Sequence, residues 1–251
     1  MQPARWVESV GEAEQVELVG AAPMVQDQQT RRLGRCRALL EFELGHVTIV
    51  PHSGDGRPAF NQLSREQALS TLQSWVASAS LRRHCLAVEA AMRAQARERG
   101  GDEELWGICG LLHDLDYERY PDPDTGHPRM AMSELERLGY PSELIRAIGS
   151  HADYLGIART SEMERALAAV DELCGFIVAC AHVRPSGIHG LTAKSVRKKL
   201  RQPSFAAAVN RDDIARGAEE LGVELNELIT TTVAALEPLA DELGVAGAAP
   251  A

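Results

Sequence analysis

The chain has 251 residues, a net charge of −10, 45% hydrophobic residues and only 4% aromatics. That is enough apolar material for a real core, which must be mostly Leu, Ala, Val and Ile and so suits packed helices. The acidic balance argues against broad nucleic-acid or anionic-membrane binding, because no global positive field draws phosphates in. A local basic pocket for one small phosphorylated ligand stays compatible with it. Cys36, Cys85, Cys109, Cys174 and Cys180 contain no C-x-x-C pair, and most sit inside apolar helical pattern. We read them as reduced core thiols. With no charged-then-apolar leader pattern and no bilayer-length apolar run, a soluble, cytoplasmic protein is expected.

Residues 1–60 carry few periodic apolar faces and finish in the turn-rich Pro51-His52-Ser53-Gly54-Asp55-Gly56-Arg57-Pro58. Only Arg37 to Val50 looks structured there, with Val47-Thr48-Ile49-Val50 β-prone but marginal as a lone strand. His46 and His52 are expected on the surface. This extension is expected to be weakly ordered or loosely packed.

Helical signals are regular beyond it. Ser64-Arg65-Glu66-Gln67 is a capping box that opens a helix through roughly Val76. Ser80 can cap the next, striped by Leu81, Cys85, Val88, Ala91 and Met92. Asp102 starts a third, whose apolar run from Leu105 to Leu112 ends in His113 and Asp114. Residues 121–126 form a loop on turn chemistry, Pro128 suits a first helical turn, and Gly139 closes that helix. Pro141-Ser142-Glu143 opens a helix reaching His151, and a long one runs from about Glu162 to Ala181. Thr192 caps a basic helix, Asn210 caps another, and Glu224 to Leu243 is read as the last. The fold class is all-α, with a helical domain over 61–243 and a flexible tail over 244–251.

His113 and Asp114 follow directly on an apolar run, where a buried helix meets a cavity. Burying a carboxylate and an imidazole is costly without compensation, and a metal ion is one such compensation. Asp171 lies mid-helix among apolar neighbours and needs a partner for the same reason. His127 precedes a helix start and His151 falls at a helix end, places that favour site-lining residues. His84, after Arg82 and Arg83, fits equally a part-exposed polar position. His182 and His189 are read as hydrogen-bonded structural residues rather than ligands. Four histidines and two aspartates of this kind could converge inside one bundle, as metal sites in helical proteins do.

The order His84, His113-Asp114, His127, His151, Asp171 resembles the HD-domain superfamily of metal-dependent phosphohydrolases. Gly110-Leu111-Leu112-His113-Asp114-Leu115-Asp116-Tyr117-Glu118, Gly126-His127-Pro128, Ile148-Gly149-Ser150-His151-Ala152 and Ala169-Val170-Asp171-Glu172-Leu173 are similar to the HDIG-type branch. The resemblance covers roughly Leu63 to Leu236. Leu115-Asp116 stands where the family usually has Ile-Gly, a change that leaves the ligands intact. The resemblance implies that His84, His113, Asp114 and Asp171 hold a first metal. His127 and His151 would hold a second, with Asp114 bridging and His113-Asp114 at the catalytic centre. The implied activity is hydrolysis of a small phosphomonoester or nucleotide by metal-bound hydroxide. Imidazole-rich ligands favour Mn, Fe, Co, Ni or Zn over Mg. The same six ligands also allow a di-iron oxygenase, and a non-catalytic ligand-sensing module is the third reading.

On the substrate side, Arg184, Lys194, Arg197, Lys198, Lys199 and Arg201 reverse the local charge. Arg184 and Lys194, nearest Asp171 in sequence, are the candidate phosphate contacts. The plainer alternative is a solvated amphipathic helix with Val196 and Leu200 inward. Tyr117, Arg119 and Tyr120 could line the pocket mouth. The partner expected is a small phosphorylated substrate, with no membrane and no broad nucleic-acid binding; the oligomeric state is left open.

Overall fold

Ser64 accepts a hydrogen bond from the Gln67 N–H, and the Gln67 side chain accepts one from the Ser64 N–H, so the capping box fixes where the first helix begins. That helix, α1, spans Arg65–Trp75. The structure is a computed structural model that describes residues 64–248. The readings for residues 1–60, including the strand-prone piece, His46, His52 and Cys36, lie outside the described residues.

The further helices are α2 (Ala79–Arg99), α3 (Glu103–Leu112), α4 (Arg129–Arg137), α5 (Ser142–His151), α6 (Glu162–His182), α7 (Ala193–Leu200), α8 (Arg211–Leu221) and α9 (Leu225–Leu236). No strand occurs among the described residues, so the all-α reading holds there. No helix among them is long and apolar enough to cross a membrane.

Three local expectations are corrected. Ser78, not Ser80, caps α2, with its side chain accepting from the Leu81 N–H. The start is fixed from elsewhere in the fold, since Glu118 accepts the Ala77 and Ser78 N–H groups at 2.7 and 3.0 Å. The last helix stops at Leu236 rather than Leu243, and a 3-10 turn takes over at Glu237–Leu239. Pro238 has no N–H to continue the ladder. Residues 244–248 do not behave as a free tail: Val245 is buried and its carbonyl accepts from the Ile188 N–H at 2.8 Å. The docking needs Gly187, at φ +58°, because a Cβ there would stand 2.0 Å from the Val245 oxygen.

The two 21-residue helices α2 and α6, each ~31 Å long, pack against each other and organise the bundle. Together with α3 and α5 they contribute Met92, Leu111, Leu112, Ile148, Leu173 and Phe176 to one core, all essentially without solvent exposure. α3 packs closely on α2 at Gly110, where a Cβ would come within 2.8 Å of the Val88 carbonyl oxygen. α5 packs on both α3 and α6. His84 in α2, His113 at the end of α3, His151 at the end of α5 and Asp171 midway along α6 therefore come from elements that touch one another. Cys85, Cys109, Cys174 and Cys180 are buried free thiols within this core. Burial pushes Cys85 and Cys109 up to about 12, so both stay protonated.

Candidate metal centre

His84 shares a helix face with Leu81 and Val88 by three- and four-residue spacing, and is only 5% exposed. The part-exposed alternative for it is excluded. α3 ends at Leu112 because the chain turns there, which leaves His113 and Asp114 buried at the helix terminus. The peptide His127-Pro128 is cis, and His127 sits just before α4. His151 is the last residue of α5.

All six side chains meet. The His84 Nε2 lies 3.2 Å from His113 Nε2 and 3.0 Å from Asp171 Oδ1. His113 Nε2 is 3.3 Å from Asp171 Oδ1 and 3.4 Å from Asp114 Oδ2. The other oxygen of Asp114 faces away from that group: Oδ1 is 3.6 Å from His127 Nε2 and 3.8 Å from His151 Nε2. The two latter nitrogens are 3.2 Å apart. The cluster thus has two lobes sharing Asp114, and each lobe offers at least three donor atoms close enough to hold one ion. Donors at 2.0–2.1 Å around a tetrahedral ion are about 3.3 Å apart, which is the scale of these separations.

The outward nitrogens assign the tautomers. His113 Nδ1 faces the Gly110 carbonyl at 2.8 Å, His151 Nδ1 faces the Ile148 carbonyl, and His127 Nδ1 faces Asp116 Oδ1 at 2.7 Å. Carbonyl and carboxylate oxygens only accept here, so each Nδ1 carries the proton and each Nε2 presents a lone pair inward. Lone pairs facing one another beside a carboxylate repel unless a cation lies among them. The donor set therefore fits a metal.

The electrostatics agree. Burial opposes charge on His113, but Asp114 and Asp171 outweigh it and hold the imidazole well above its ordinary range. Burial likewise works against the Asp114 and Asp171 carboxylates, and His113 beside them wins, holding both well below the usual value. His151 goes the other way: burial, then His127 and His113, push it down to about 4. The pocket concentrates negative charge and lone pairs, and in the absence of another cation it captures a proton on His113.

Arg184 and Lys194 are not brought to this cluster. α6 continues 11 residues from Asp171 to His182, a rise of about 17 Å, before Arg184 is reached. The Arg184 guanidinium donates to the carbonyls of Gly187 and His189, holding the loop after α6. Lys194 is exposed in the first turn of α7. Nearness in sequence misleads here because a helix carries the chain steadily away from its own midpoint. Val196 is buried and Arg197 and Lys198 are exposed, the plain amphipathic arrangement. His182 and His189 are both exposed, with His189 Nδ1 3.2 Å from Glu237 Oε1. Of the residues expected at the mouth, Tyr117 packs edge-on against His127, with ring centroids 5.1 Å apart. Arg119 and Tyr120 instead turn to Trp75 of α1.

Three residues escaped the sequence reading. Asp116 was taken as a neutral replacement, yet it has no solvent exposure and grips His127. A second carboxylate straight after an apolar run was the available signal. Tyr154 donates its hydroxyl to the His127 carbonyl at 2.7 Å. Glu172, raised to about 8 by burial and then by neighbouring Asp171, accepts from the Asn210 N–H. Nothing in the local sequence distinguishes these last two.

Residues 81–179 match the family model of the HD domain, a stretch that encloses all six clustered residues. No curated protein and no solved structure matches the chain.

Proposed function

We propose that this chain hydrolyses a small phosphomonoester or nucleotide, a reading supported by the match of residues 81–179 to the HD domain, whose family is generally one of metal-dependent phosphohydrolases. The observation that carries the proposal is the split of Asp114, one oxygen turned to His84 and His113 and the other to His127 and His151. His84, His113, Asp114 and Asp171 would hold one divalent transition ion, and His127 and His151 with Asp114 would hold a second. Such ions would supply Lewis acidity, which makes water a better nucleophile near neutral pH and balances phosphoryl charge. The chain's own part is to fix the donors: backbone carbonyls and Asp116 keep the Nδ1 protons of His113, His151 and His127 in place, so none of these three imidazoles has to turn when the site is used. Asp171, whose side chain is 21% exposed against 8% for Asp114, marks the side open to substrate. Tyr117 and Tyr154 flank His127 in the other lobe.

Mn, Fe, Co, Ni and Zn all suit four imidazoles and two carboxylates better than Mg does. The test is phosphate release from a panel of nucleotides and phosphomonoesters by the full chain loaded with each of these ions in turn. Metal-dependent release that Asp114→Ala abolishes supports the proposal. Absence of turnover across the panel in every metal overturns it, and oxygen uptake by a reduced, iron-loaded sample would put an oxygenase in its place.

A further inference from the structure

Among His113, His127 and His151, His127 is set apart by its Nδ1 partner. His113 and His151 donate to neutral backbone carbonyls, whereas His127 donates to a carboxylate, that of Asp116, at 2.7 Å. Asp116 is wholly buried, and its second oxygen accepts the Ala131 N–H at 2.8 Å in the first turn of α4. Both oxygens are thus engaged as acceptors, and the carboxylate is locked between His127 and the start of α4.

The lobes of the cluster also differ in charge. One contains Asp171 in addition to its share of Asp114; the other has only its share of Asp114 with His127 and His151. A divalent ion in the second lobe would meet less negative charge than one in the first. A carboxylate behind an imidazole fixes its tautomer and makes its other nitrogen a stronger donor. Asp116 supplies that to the poorer lobe.

We propose that Asp116 is a positioning residue for the second ion: it holds His127 in the Nδ1–H form, aims Nε2 inward, and compensates through the ring for the missing carboxylate. The inference rests on the two-ion reading above. Through it, the Asp in the Leu115-Asp116 step becomes part of how this chain retains two ions.

The test is calorimetric titration of the metal-free full chain with Co²⁺, together with metal content after gel filtration. The wild type is expected to take up two equivalents. Asp116→Asn is expected to retain the first at wild-type affinity and to bind the second about 10- to 100-fold more weakly. Unchanged affinity for both overturns the inference. Parallel loss of both also overturns it, since that marks a merely structural role. Should the variant fail to fold, nitrogen-15 NMR of wild-type His127 decides, with the Nδ1–H tautomer expected and a predominant Nε2–H tautomer overturning the idea. A wild-type chain that binds one equivalent, unaffected by His127→Ala, overturns the two-ion reading itself and with it this inference, and is recognised before any Asp116 variant is made.

Discussion

Asp171 Oδ1 lies 3.0 Å from His84 Nε2, although 87 residues of chain separate them. One belongs to α6 and the other to α2, and the packing of these two long helices makes the contact. Asp171 lies within 4 Å of His84 and His113, and His151 lies within 4 Å of His127 and Asp114, so the lobes can be probed one at a time.

Asp171→Ala is expected to cost the ion held with His84 and His113 while sparing the other. His151→Ala is expected to do the reverse. Asp114→Ala, which faces both groups, should strip the protein of both ions. Elemental analysis of the three purified variants beside wild type checks this; equal loss in all three would mean the lobes are not separate.

Metal uptake should release protons. Despite its burial, His113 is held well above its ordinary range by Asp114 and Asp171, so the ion-free fold keeps a proton there near neutrality. An incoming cation must expel it, and apparent affinity should rise about tenfold per pH unit while that proton is bound. The linkage has a second face. A raised imidazole stabilises the ion-free fold fully below the unfolded value near 6.5, and that stability is lost as pH rises through the folded pKa. His151, lowered to about 4, acts oppositely: its contribution is present above about 6.5 and is lost as pH falls toward 4. Thermal melts of the ion-free chain from pH 4 to 9, with calorimetry in two buffers of different ionisation heat, read out both effects.

Gly110→Ala should destabilise the fold and disturb the site together. The added Cβ would lie 2.8 Å from the Val88 carbonyl oxygen, a backbone atom that cannot swing away. Forcing α3 off α2 costs roughly 1–3 kcal/mol, or several degrees in Tm. It also shifts the carbonyl that orients His113. A melt and a metal titration on the same sample would show both changes; a wild-type Tm would refute the close approach.

Glu89 is buried in α2 and receives Arg65 Nε at 2.6 Å and Arg93 Nε at 3.0 Å. Glu89→Gln takes the paired carboxylate from Arg65 and one of two from Arg93, which keeps Glu104 at 2.8 Å. Arg65 is 43% exposed and Arg93 19%, so water recovers part of the loss, and a cost of about 2 kcal/mol is expected. Denaturant unfolding is the measurement, and metal content should stay at the wild-type level because Glu89 is not among the clustered donors.

Much of this architecture could be read locally. Ser64, Asp102, Ser161, Thr192 and Asn210 each satisfy N–H groups at the start of a helix, an interaction spanning two or three residues, so caps and apolar spacing are sufficient to find the helices. The reading failed where a distant group decided the outcome. Glu118 moved the start of α2, and Gly187 let residues near Val245 dock on the loop after α6. Arg184 was assigned to the substrate by its nearness to Asp171 in sequence, an argument that ignores the length of the helix between them.

The sequence by itself determined where the helices lie to within a few residues, and that His113, Asp114 and Asp171 are too polar for their apolar surroundings, because spacing and burial cost are local properties. The full set of six came with the family resemblance. Only the tertiary structure decided how those six divide into two lobes about Asp114, and that Asp116 stands behind His127. Those relations depend on the angle at which α3 meets α2 and on the turn from Leu112 to Pro128, which arise from packing across the whole bundle.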